Sequence, residues 1–267
     1  MAHWEFPATN PVDLDINLIS GRIGITAEPT DVITVSLTTS RPDSSGDGHI
    51  ADVRVDYADG RLEIIESKHH GIRHRSSGLD LAVTVPAGSR CVVQASASDV
   101  NCRGEVGSLD VRTASGDISA SVVRGPVRVN TLSGNIRLDQ TLADVIAEAA
   151  SGNIALQQAS GDVAVKTVSG DVHIGAAAAS VTAHAASGDL RIDSIAAGDA
   201  DLNCVSGDIA VAVAPGVAVY LDLATIIGRV SSELEPSDSA GHAGLRLKCR
   251  TAQGDVRVTR AALVDAS

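Results

Sequence analysis

The chain has 267 residues, is 44% hydrophobic and only 1% aromatic, and carries a formal net charge of −12 at pH 7. An acidic chain without a long basic stripe is excluded from binding that rests on neutralising phosphates, so nucleic acid and anionic membrane surfaces are not expected partners. A core built almost without aromatic side chains is expected to be narrow.

In chain order, the first 20 residues have no basic n-region and no apolar h-region. No signal peptide is expected, and the location predicted is cytoplasmic. Residues 12–25, 32–38, 51–57, 61–66 and 79–85 alternate apolar and polar side chains with the period of two that marks strands. Asp59-Gly60 between two of these runs is a hairpin signal. Residues 1–96 therefore read as a β-rich cap with wider first coils, with Trp4 and Phe6 available to plug that end. The cap also holds the basic cluster Lys68, His69, His70, Arg73, His74 and Arg75. Its histidines suit a metal and its charges a phosphate, but a solvated loop is the ordinary outcome for such a charge run.

Residues 97–214 are governed by an internal repeat. SGD or SGN recurs as Ser115-Gly116-Asp117, Ser133-Gly134-Asn135, Ser151-Gly152-Asn153, Ser169-Gly170-Asp171, Ser187-Gly188-Asp189 and Ser206-Gly207-Asp208. The spacing is 18 residues until a last step of 19; ASDV precedes the series at Ala97 and QGDV follows it at Gln253. Aligning the copies gives columns: Val100, Ile118, Ile136, Ile154, Val172, Leu190, Ile209, and two residues on Cys102, Ala120, Leu138, Leu156, Ile174, Ile192, Val211. Between them run mostly polar residues, so each copy is a strand with one apolar side. The other half of each coil repeats this pattern, and Ser160-Gly161-Asp162-Val163 echoes the motif at half spacing. Identical columns at constant spacing predict an all-β, single-stranded parallel β-solenoid of about 18 residues per coil, with irregular β caps at both ends. Gly supplies the positive φ of a sharp corner, and the following Asp or Asn can accept bonds from backbone N–H groups there.

In the last part, residues 215–267, the apolar stretch 209–228 contains Pro215-Gly216 and Asp222. It reads as two strands and a turn, because a spanning helix needs roughly 20 continuous apolar residues. A polar loop is expected near residues 235–244 and the final strand at 255–259, all within one continuous domain. None of Cys91, Cys102, Cys204 and Cys249 forms a C-x-x-C pair, which favours buried reduced thiols over a disulfide framework or a zinc site.

The serial SGD/SGN turns resemble those of a bacterial family of domains of unknown function labelled putative adhesin, related to the toast-rack β-solenoids. The resemblance spans about residues 10–260. It implies a parallel β-helix, links some relatives to envelope-stress sensing, and offers no established catalytic residues.

No catalytic, cofactor or metal residue is therefore assigned. The Asp/Asn ladder could attract a cation, but Asn135 and Asn153 interrupt it and turn bonding already explains it. A polysaccharide-cleaving β-helix needs carboxylates at a working distance on one outer face. The outward columns Arg128, Ile146, Ala164, Thr182, Asp201 and Asn130, Glu148, Lys166, His184, Asn203 hold no repeating acidic cluster. His173 and His184 face outward with no carboxylate partner that spacing identifies. The leading expectation is a non-enzymatic scaffold or protein-interaction module that binds through a face or an end and is open to self-association. A carbohydrate-active or glycan-binding β-helix and a stress-sensing component are the alternatives.

Overall fold

The computed structural model describes residues 1–39, 50, 52–67, 78–234 and 244–262. They form two compact units, Met1–Gly134 and Asn135–Ser267.

In the first unit the strands are β1 (Ala2–Pro7), β2 (Asp13–Glu28), β3 (Val32–Thr39), β4 (Val53–Ala58), β5 (Arg61–Glu66), β6 (Leu79–Pro86), β7 (Arg90–Val106), β8 (Ser108–Ser115), β9 (Ile118–Val123) and β10 (Val127–Ser133). The long strands β2 and β7 each serve both faces of the unit and run parallel, Asp13 opposite Arg90 and Ala27 opposite Gly104. β5 and β6 line the other side of β2's two halves, while β8 and β9 line the two halves of β7. Among the described residues antiparallel pairing is confined to the cap: β1 with β3, β3 with β6, and β4 with β5. The last is the expected hairpin. Asp59 and Gly60 both take left-handed φ, 52° and 77°, as a two-residue turn between twisted strands requires. Phe6 of β1 packs on Tyr57 of β4 with ring centroids 5.4 Å apart.

In the second unit the strands are β11 (Ile136–Thr141), β12 (Val145–Ser151), β13 (Ile154–Ala159), β14 (Val163–Ser169), β15 (Val172–Ala177), β16 (Val181–Ser187), β17 (Leu190–Ile195), β18 (Gly198–Ser206), β19 (Ile209–Val213), β20 (Val219–Ile227), β21 (Val230–Ser232), β22 (Leu245–Gln253) and β23 (Val256–Arg260). Every pairing within this unit is parallel and follows the predicted columns. Ile154 lies opposite Val172, Val172 opposite Leu190, and Leu190 opposite Ile209. The fold is thus an all-β, single-stranded parallel solenoid with two strands per coil. The inward side chains are fully buried: Ile154, Leu156, Ile174 and Ile209 each expose 0%. Each such side chain contributes roughly 1.5–3 kcal/mol of burial.

The far end of the second unit departs from the sequence reading. One face runs β12, β14, β16, β18, β22, β20; the other runs β11, β13, β15, β17, β19, β23, β21. The coil that comes last in the chain, residues 245–260, is therefore inserted, and residues 219–232 form the outermost winding. The last strand of the chain, expected at 255–259, is β23, and it lies between β19 and β21 inside the stack. The apolar stretch 209–228 is, as expected, two strands joined by a turn at Pro215-Gly216, where Gly216 has φ 79°. Among the described residues no helix is long and apolar enough to cross a membrane.

Candidate functional site: corner ladders and an outer face

Each SGD/SGN corner is shaped by its glycine for two reasons. Gly170 has φ 139°, and a Cβ placed on it would stand 2.2 Å from the carbonyl oxygen of Gly152 one coil away. Only a residue without a side chain allows that approach. Backbone pairing continues through the bend, with the Gly170 N–H donating to Ser187 O at 3.0 Å.

The residue after the glycine carries the predicted ladder, but its bonds run between coils rather than around its own corner. In the first unit the Asp117 N–H donates to Asp99 Oδ1 at 3.0 Å. In the second unit Asn153 N–H donates to Asn135 Oδ1 and Asp171 N–H to Asn153 Oδ1, at 3.1 and 2.8 Å. Asp189 N–H then donates to Asp171 Oδ1, Asp208 N–H to Asp189 Oδ1, and Asp255 N–H to Asp208 Oδ1, at 2.9, 2.8 and 2.8 Å. The series ends where Arg229 N–H donates to Asp255 Oδ1 at 2.8 Å, because an arginine side chain has no acceptor to offer another coil. A second ladder occupies the half-coil corner: Asp162 N–H to Asp144 Oδ1, Ser180 N–H to Asp162 Oδ1, and Asp199 N–H to Ser180 Oγ. The 18-residue interval from Asp144 to Asp162 was its available signal. Ladder oxygens committed to amides explain the Asp/Asn column without an ion. Among the described residues no group of three or more His, Cys, Asp or Glu is arranged to hold a metal.

Just inside the corners runs a column of small residues that the repeat reading did not separate from the core. In the first unit the Thr131 hydroxyl donates to Ser133 O; in the second the Thr251 hydroxyl donates to Gly207 O, and in the same column as Thr251 the Cys204 Sγ donates to Gly188 O at 3.2 Å. All four cysteines are free and buried. Burial pushes the Cys91 and Cys249 thiols up to about 12, so they are inert at neutral pH.

On the outer face of β14, β16 and β18 lies a shallow depression of ≈ 290 Å³. Lys166, His184 and Asn203 form one side of it and Val168, Ala186 and Val205 the other. Val168 and Val205, each one residue before a corner serine, are 55% and 60% exposed. Beside the depression, Asp201 accepts from Lys248 Nζ at 3.0 Å and from Asn203 Nδ2 at 2.5 Å. Partial burial pushes the Asp201 carboxyl up, but Lys248 and Asn203 outweigh it and hold the group below the usual carboxylate range.

On the opposite face His173 does have a carboxylate partner, contrary to the sequence reading. Its Nε2 lies 2.7 Å from Asp193 Oδ2, while Arg191 Nε donates to Asp193 Oδ1 at 2.7 Å. The pair is diagonal across neighbouring coils, 20 residues apart, and so falls outside an 18-residue search. Lys68, His69, His70, Arg73, His74 and Arg75 lie outside the described residues.

These coils and corners define a parallel β-solenoid. Residues 139–266 match the family model described as Toastrack DUF4097, all within the second unit, and the resemblance carried by the SGD/SGN turns is met over that stretch. No curated protein matches the chain. Among solved structures the chain is similar to a putative adhesin from Bacteroides fragilis, at 14% identity over 96% of both chains with a TM-score of 0.44. A putative adhesin from Parabacteroides merdae is similar at 12% identity over 97% of this chain and 96% of that one, with a TM-score of 0.41. One from Parabacteroides distasonis follows at 11% identity over 96% of both chains, with a TM-score of 0.30.

Proposed function

We propose that the chain is a non-enzymatic scaffold, an interaction module that holds a protein partner on the outer face of the second unit. The observation that carries this reading is the exposed apolar column Val168, Ala186, Val205 beside the polar column Lys166, His184, Asn203. Stacked coils present both columns at a repeat of roughly 4.8 Å, the spacing at which a rigid solenoid offers successive side chains to an extended polypeptide. Three outer-face carboxylates of the second unit that a carbohydrate-cleaving reading would call on are engaged by neighbouring side chains: Asp193 by Arg191 and His173, Asp201 by Lys248, and Asp222 by Arg250. Buried thiols suit a reducing compartment, and the reading places the module in the cytoplasm.

The test is quantitative affinity capture from the native host, with wild-type protein beside a Val168→Lys, Val205→Lys double variant. Both side chains are exposed, so the melting temperature should hold while recovery of the specific partner falls at least about tenfold. Equal recovery by the two proteins would sink the outer-face reading.

A further inference from the structure

The outermost winding of the second unit has the features of an interface. β20 pairs with β22 on one side, and among the described residues no strand pairs with its other edge. Along that winding Tyr220, Ile226, Ile227 and Val230 are 60, 82, 66 and 47% exposed. Soluble proteins blunt such edges with charge, proline or bulges. The edge strands of the first unit's cap follow that practice, with His3, Glu5 and Pro7 on β1 and Arg54 and Asp56 on β4. In contrast, β20 has nine residues, no proline and a single charge, Asp222, which is paired to Arg250 at 3.1 Å. β21, Val-Ser-Ser, has no charge at all.

We propose that β20 is the dimerisation edge of this protein and that its occupant is the β20 strand of a second copy, paired antiparallel about a twofold axis. Two observations select a second copy. The first is the register that β20 can make with itself, in which apolar side chains meet and its one acid faces no like charge. Side chains keep to their own sides of the sheet only in registers centred on a residue. The register that pairs all nine residues is centred on Leu223. It puts Val219 opposite Ile227, Tyr220 opposite Ile226, Leu221 opposite Thr225 and Asp222 opposite Ala224 of the second copy. The most exposed apolar side chains then cover one another, and the one acid meets an alanine. Centring on Asp222 would set that acid against itself and pair only seven residues of the strand.

The second observation is the end of the ladder at Arg229. A further coil stacked parallel on this end would find no carboxylate or amide acceptor in that column. Parallel continuation into a filament is therefore disfavoured, whereas a twofold contact closes on itself. This interface uses the outermost winding and is independent of the β14–β16–β18 face.

The experiment is sedimentation of the full chain across a concentration series, for wild type, Ala224→Asp and Ala224→Lys. Position 224 is exposed and lies opposite Arg250 of β22, so an aspartate there is tolerated by the subunit's own fold. Thermal unfolding that matches the wild type at a concentration where both are monomeric checks this. The wild type should be a dimer. Ala224→Asp faces Asp222 of the second copy and should raise the dimer dissociation constant at least about tenfold, while Ala224→Lys should preserve or tighten it. A wild type that stays monomeric throughout the series, including because another chain or segment occupies the edge, overturns the proposal. So does a dimer that Ala224→Asp leaves unchanged.

Discussion

At the scale of single residues, the corners do the specifying. Gly170 is held by both its dihedral and the carbonyl 2.2 Å from where a Cβ would stand. Asp171 acts through one oxygen, the acceptor of the Asp189 N–H at 2.9 Å. An amide carbonyl can fill that place, and Asn135 and Asn153 do so in neighbouring coils. Asp171→Asn should therefore leave the unfolding free energy nearly unchanged, while Asp171→Ala should cost about 1 kcal/mol, read from denaturant unfolding. A large loss in the asparagine variant would show that the charge, and not the acceptor, is what matters there. This residue-level logic was only partly legible in advance. The motif announced a corner, but the partner of each oxygen lies one coil away, and no local rule distinguishes that bond from one made within the turn.

At the scale of strands, the repeat made most of the second unit readable because every apolar column is also a spatial stack. Ile154 sits opposite Val172 and exposes 0%. Ile154→Asp places a charge among apolar neighbours and should cost several kcal/mol, enough to lower the melting temperature severely or prevent folding. Near-normal melting would contradict the register. Two things escaped the columns. Apart from the hairpin that Asp59-Gly60 announced, antiparallel pairing in the cap has no signal in the repeat, since β3 lies against β6 with reversed direction and unrelated sequence. The insertion of β22 and β23 was hidden because the winding at 219–232 carries the same columns: Leu221 matches Leu247 and Thr225 matches Thr251. The difference that mattered was Arg229 in a column of Asp and Asn. The diagonal His173–Asp193 pair was missed for a related reason, being two residues out of the stacking register.

At the scale of the whole molecule, acidity sets the response to pH. The formal charge of −12 and a pI of about 5.0 mean that self-repulsion eases as pH falls from 7. Opposing this, the folded state holds the Asp193 and Asp201 carboxyls below their usual range. Burial pushes both up, but His173 and Arg191 in one case, and Lys248 and Asn203 in the other, prevail. Groups depressed in this way contribute stability above their unfolded pKa and lose it as pH falls through the folded value. The melting temperature should hold or rise slightly between pH 7 and pH 5, then drop below about pH 4, the ordinary Asp range. Asp201→Asn should fall less steeply in that acid limb.

The inserted winding also bears on how the chain comes to rest. During synthesis residues 219–232 emerge before 245–260, and for that interval β18 presents a vacant edge to a segment bearing nearly the right side chains. A provisional seat there would be coherent, with Leu221 where Leu247 belongs, and would have to be given up for the final pairing to form. The final arrangement is the one in which Asp255 relays the bond chain from Asp208 and Arg229 terminates it. The stack is thus closed from within: the segment synthesised later takes the inner place, and the one synthesised before it lies outermost.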